Sequence, residues 1–132
     1  MTEKQNQGLR GARILIVEDE FYLADDLAAA LKGNGALVLG PVGTLADAQS
    51  AVDAGNFDCA ILDMNLRGDM SFPIADRLQE AGIPFLIATG YNSASLPERF
   101  AGVPRVEKPS DTALILDAIA PLLGSARNSA PQ

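Results

Sequence analysis

A chain of 132 residues, 48% apolar and 20% charged, is long enough for one domain with a proper core and too short for two. Ten basic against seventeen acidic residues leave a net charge of −7. No stretch gathers lysine and arginine into a stripe, so direct nucleic-acid binding is disfavoured. The chain has no histidine, which excludes histidine-dependent hydrolase triads, histidine-ligated zinc and imidazole general-base chemistry. Carboxylates, hydroxyls and a lysine must carry whatever chemistry there is. The single cysteine, Cys59, cannot form an internal disulfide, and residues 1–10 are too polar for a signal peptide, so the expected setting is cytoplasmic. No apolar run approaches the roughly 20 residues of a membrane span, and direct membrane insertion is not expected.

In chain order, residues 1–10 read as a polar tail and residues 11–123 as the folded unit. The first strand is predicted over Arg13–Val17. Ala24, Leu27, Ala28 and Leu31 then fall on one helix face, and Gly33-Asn34-Gly35 supplies the stop. A second strand over 36–39 ends in Gly40-Pro41, and Thr44 is placed to cap a helix running to about Ala54. The third strand (57–62) meets Asp63, and a third helix should start near Pro73 and end near Glu80. The fourth strand (83–88) leads into a segment, 92–102, that holds Pro97 and little amphipathic pattern, so its helix should be short or mobile. After a fifth strand (103–106), Ser110 is a candidate cap for a helix whose face is Leu114, Ile115, Ala118, Ile119 and Leu122. Residues 124–132 lack periodicity and read as a second tail. Five strands alternating with helices predict a doubly wound α/β domain around a five-stranded parallel sheet.

In such sheets ligands bind beyond the carboxyl ends of the strands, where strand order reverses. The first strand runs into Glu18-Asp19-Glu20, the third into Asp63, the fourth into Thr89-Gly90 and the fifth into Glu107-Lys108-Pro109. The second delivers no polar group, as suits an edge strand in the order 2-1-3-4-5. Alone, an aspartate after a strand is usually a helix cap, and three acids before a helix complement its dipole. Together, one contributor per strand argues for a single site. Three carboxylates in one crevice repel, and a hard cation such as Mg²⁺ relieves this while binding phosphate, which describes a phosphoryl-transfer site with a carboxylate as nucleophile. Lys108 supplies fixed positive charge for a phosphoryl oxygen and Thr89 a hydroxyl donor.

The set Glu18-Asp19, Asp63, Thr89 and Lys108-Pro109 resembles the receiver domain of two-component response regulators, over nearly all of 11–123. The resemblance implies a flavodoxin-like receiver fold with Asp63 as phosphoacceptor. It implies Mg²⁺ held by Asp19, Asp63 and the backbone carbonyl of Asn65, with Glu18 acting through a metal-bound water. It gives phosphate-binding and switch roles to Thr89, Lys108, Ala88, Gly90 and Tyr91, and a cis peptide to Lys108-Pro109. The donor would be a sensor histidine kinase or a histidine phosphotransferase. Because the sequence ends soon after the fifth helix, output through a downstream protein partner or by onward phosphotransfer is expected, with no enzymatic turnover beyond self-phosphorylation and autodephosphorylation.

Receivers often carry an aromatic switch residue three positions before the lysine, where this chain has Arg105. Instead Phe85-Leu86-Ile87-Ala88-Thr89-Gly90-Tyr91 resembles the motif of the "FAT GUY" single-domain regulators, with Ile87 in place of a phenylalanine. Known members of that subgroup act in phosphorelays, including general stress signalling. Activation is therefore expected to remodel residues 91–102 and leave Arg105 in place. An aspartate-nucleophile phosphatase of the haloacid dehalogenase type would need a second aspartate where Asn65 stands, and a flavin phosphate would be repelled by the acids after the first strand. A receiver-like module that binds partners without phosphorylation is disfavoured, since every phosphorylation residue is present. Cys59, Phe21 and Tyr22 read as packing residues, though the two aromatics could border a partner surface on the first helix.

Overall fold

The computed structural model describes residues 9–90, 96–108 and 111–128, with side chains of the last helix described to Leu123. In chain order the elements are β1 (Arg13–Val17), α1 (Phe21–Gly33), β2 (Leu37–Val42), α2 (Leu45–Ala54), β3 (Cys59–Asp63), β4 (Asn65–Leu66), β5 (Asp69–Met70), α3 (Phe72–Ala81), β6 (Phe85–Thr89), a 3₁₀ turn (Glu98–Phe100), β7 (Arg105–Glu107) and α4 (Thr112–Asn128). Five strands form one parallel sheet in the order β2-β1-β3-β6-β7, the predicted order of the five main strands.

The central strands alternate between two apolar layers, as a period of two requires of a sheet covered on both faces. Ile14 and Ile16 of β1, Cys59 and Ile61 of β3 and Leu86 of β6 pack with Leu27 and Leu31 of α1 and with Ile119 and Leu123 of α4. Leu15, Val17, Ala60, Leu62, Phe85 and Ile87 face the other way, towards Val52 of α2, Leu78 of α3 and Phe100. Cys59 is thus a core residue, its thiol pushed up to about 12 chiefly by burial.

Helix ends follow the sequence signals closely. Thr44 Oγ1 accepts from the Asp47 N–H, and the left-handed Gly55 and Gly82 close α2 and α3. Several boundaries differ from expectation. Leu9 is 1% exposed and belongs to the core, so the core draws on a residue of the stretch expected to be a tail. At the other end α4 continues through Pro121 to Asn128. Strand β2 runs on past Leu39 through Gly40-Pro41, joined by a cis bond, to Val42, with its register against β1 shifted there, and its place at the sheet edge accommodates the proline. Phe21 and Tyr22 are corrected from packing residues to exposed ones, 74% and 81% accessible, set edge-to-face at 5.5 Å. Leu114, placed on the buried face of the last helix, is likewise exposed.

The weak fourth-helix segment forms one described 3₁₀ turn, Glu98–Phe100. It is anchored as well as short. Phe100 is fully buried and stacks on Phe72 at 6.1 Å, and Arg99 bonds Asp76 of α3 through two nitrogens at 2.7 and 3.1 Å. Tyr91, the cis bond expected at Lys108-Pro109 and the Ser110 cap lie outside the described residues.

Candidate functional site

β1, β3 and β6 carry their polar residues to the carboxyl edge because the apolar run in each is buried and must end where the sheet meets the loops. Asp63 closes β3 at 4% exposure, and Thr89 closes β6 at 4%. Glu18 follows β1, its backbone N–H donating to Val42 at the end of β2. Lys108 follows β7, with its N–H donating to the Thr89 carbonyl at 2.6 Å. Ala88 pairs with Asp63 across the sheet and its carbonyl accepts from Met64, fixing the turn that leaves β3.

The side chains converge. Lys108 Nζ lies 3.1 Å from Asp63 Oδ2, 3.1 Å from Glu18 Oε1 and 3.7 Å from Glu20 Oε2. The other Asp63 oxygen, Oδ1, accepts from the Asn65 N–H at 3.1 Å, so both oxygens are held by donors outside any helix N-terminus. The cap reading of Asp63 therefore fails: α3 begins at Phe72, and its cap position is Ser71. Glu18 Oε2 accepts from the Glu20 N–H at 3.0 Å. Glu18, Asp19 and Asp63 each offer a carboxylate oxygen within 4.8 Å of the others, an all-oxygen donor set that fits a hard divalent cation.

The electrostatics match this crowding. Burial, assisted by the Asp63 charge, pushes the Glu18 carboxyl up to about 7 against the lowering effect of the Glu20 N–H and Lys108. Burial also raises Asp63, though the Asn65 N–H and Lys108 oppose it. Burial draws Lys108 down, but the hydrogen bonds and charges of Asp63 and Glu18 outweigh it, and its ammonium stays protonated above its ordinary range. The Thr89 hydroxyl is buried and has no hydrogen-bond partner among the described residues. Such a group is costly to leave unpaired and ready for an acceptor.

Two features of the site were not foreseen. The hairpin β4–β5 projects directly after Asp63, turning through Arg67 at φ 55° and Gly68 at φ 94°, and its strands are too short to register as apolar runs. Ser71 is fully buried and donates its hydroxyl to the Asp63 carbonyl at 2.6 Å, clamping the backbone of that residue. Only its place just before the Phe72-Pro73 helix start hinted at a role.

No protein-family model matches the chain. It is 38% identical over 98 residues to the transcriptional regulatory protein TcrA of Mycobacterium tuberculosis (strain H37Rv), and the match covers 70% of this chain and 36% of TcrA, so the chain spans about a third of that relative. It superposes on a response regulator receiver protein from Sinorhizobium medicae with a TM-score of 0.72 at 24% identity, over 89% of this chain and 98% of that one, which shows the fold. With SdrG from Sphingomonas melonis the TM-score is 0.75 at 40% identity, over 86% of this chain and 97% of SdrG. The chain belongs to the response regulator receiver domains. A structure of SdrG in its BeF₃-activated conformation also matches, with a TM-score of 0.70 at 40% identity, over 84% of this chain and 95% of that one. In this receiver the acidic cluster and Lys108 lie together at the carboxyl edge of the sheet. Among the described residues of this receiver no helix is long and apolar enough to cross a membrane.

Proposed function

We propose that this receiver takes a phosphoryl group onto the Asp63 carboxylate from a phosphohistidine of a sensor histidine kinase or a histidine phosphotransferase, in a reaction that requires Mg²⁺. The observation that carries this reading is the condition of Asp63, buried, with one oxygen on the Asn65 N–H, the other on Lys108, and two further carboxylates beside it. A carboxylate held this way is an oriented nucleophile. In the transfer an Asp63 oxygen bonds to phosphorus while the phosphorus–imidazole bond breaks, its electron pair staying on the nitrogen. Lys108 is positioned to share its charge with a phosphoryl oxygen, and the unpartnered Thr89 hydroxyl gains an acceptor.

Glu18, Asp19 and Asp63, with the Asn65 carbonyl, would hold the Mg²⁺, which neutralises carboxylate and phosphoryl charge when bound. The motif from Phe85 to Tyr91 favours the FAT GUY subgroup, and the BeF₃-activated form of SdrG supports a phosphate-triggered change in this fold. On this reading the domain turns over no separate substrate, works in the cytoplasm beside its donor, and passes its signal by contact with a protein partner or by onward phosphotransfer. The test is intact-mass spectrometry with acetyl phosphate. One phosphoryl group should add only when Mg²⁺ is present, and label that survives Asp63→Ala or a chelator would sink the reading.

A further inference from the structure

We infer that Arg67 receives the phosphoryl group of the incoming donor at the mouth of the Asp63 pocket, an inference that rests on Asp63 being the phosphoacceptor. The pocket, of about 660 Å³, is lined by the acidic Asp19, Glu20 and Asp63 and by two basic residues, Arg67 and Lys108. A phosphoryl donor brings further negative charge into this acidic cleft. Lys108 is already committed at its floor, spanning Asp63 and Glu18 at 3.1 Å each and Glu20 at 3.7 Å. Arg67 is exposed, and among the described residues no carboxylate pairs with it. A planar guanidinium can bond two phosphoryl oxygens at once, which suits it to capture and orient the group.

The backbone supports a functional placement. Arg67 and Gly68 form a two-residue hairpin turn with both φ angles positive, the pattern of a type I′ turn whose centre favours asparagine, aspartate and glycine. Arg67 is the one non-glycine residue with positive φ among the described residues. The turn is held firmly: Asn65 Oδ1 accepts from the Gly68 N–H at 2.6 Å, Leu66 is buried, and Ser71 clamps Asp63. A long cation is thus kept in a strained conformation at a set offset from the phosphoacceptor, and strain of that kind collects at functional sites.

With acetyl phosphate as donor, an Asp63 oxygen forms a bond to phosphorus and the bond from phosphorus to the acetyl oxygen breaks. Acetate leaves with that electron pair, and no proton moves. Arg67 binds two non-bridging oxygens of the donor as it enters. The experiment measures the second-order rate of acetyl phosphate labelling by intact mass at saturating Mg²⁺, together with metal-free melting temperatures. Arg67→Gly should slow labelling on the order of tenfold, the effect of losing a charge-assisted hydrogen bond. Its melting temperature should hold or rise, since glycine adopts positive φ freely. Arg67→Lys should recover part of the rate, and Arg77→Ala, which removes one positive charge from α3, should label like the parent. Labelling of Arg67→Gly at the parental rate, or slowing accompanied by a lower melting temperature, overturns the role of Arg67 alone. A parent chain that takes no label overturns the phosphoacceptor reading, and this inference with it.

Discussion

At the scale of single residues, the site is a set of groups held in states that water would not favour. Asp63 is buried next to Glu18 and Asp19, and burial raises its pKa, so its charge is a strain on the metal-free fold. Asp63→Asn removes that charge and leaves Lys108 its pair with Glu18 at 3.1 Å. The metal-free melting temperature should rise by a few degrees, equivalent to about 1 kcal/mol. A fall, followed by circular dichroism, would show that the aspartate is mainly structural. Thr89 offers a cleaner case, because its buried hydroxyl lacks a partner among the described residues. Thr89→Val keeps the shape and deletes the orphan group, so it should leave stability equal or raise it by about 1 kcal/mol in urea titration. The variant should still be labelled on Asp63 yet fail to show the exchange changes that a phosphate mimic produces in the parent. Glu18, Asp63 and Thr89 were legible because each breaks an apolar run at a strand end, and Lys108 because it follows the fifth strand next to a proline. Ser71 was not, since its partner, the Asp63 carbonyl, lies eight residues away along the chain.

At the scale of elements, caps and anchors decide which parts can move. Thr44→Ala removes the side-chain acceptor for the Asp47 N–H and should lower stability by about 1 kcal/mol, measured by chemical denaturation. Sequence alone suggested that everything from residue 91 to 102 could reorganise on activation, because Pro97 and the serines carry no helical pattern. The structure narrows this. Phe100 is a core residue, Arg99 bonds Asp76, Gln79 donates to the Arg99 carbonyl, and the Phe100 and Val103 amides bond back to Pro97 and Phe100. Hydrogen exchange with beryllofluoride and Mg²⁺ should therefore change before Pro97 and leave the amides of Phe100 and Val103 protected. Equal changes across both stretches would return the boundary to residue 102. Phe100→Ala should destabilise the domain by about 3–5 kcal/mol, as expected for emptying a buried aromatic site.

At the scale of the molecule, one sheet organises both core and site, so metal binding should be felt by the whole fold. A cation that binds only the native state stabilises it by about 2.7 kcal/mol at a hundredfold excess over Kd. The melting temperature should climb with Mg²⁺, and Asp19→Asn should blunt the rise; a parent insensitive to Mg²⁺ would count against the metal site. What the sequence determined by itself was the alternation of strands and helices, the strand order and the polar residues at the sheet's carboxyl edge. Those signals are local: a run of apolar residues, a cap, a break in pattern. Tertiary structure alone decided that Leu9 joins the core, that Phe21 and Tyr22 stay outside it and that Arg99 is tied to Asp76. It also decided that a short hairpin places Arg67 on the lining of the cavity that holds Asp63 and Lys108. Each of these depends on which distant surface is available to pack against or pair with, and the folded chain alone supplies that surface.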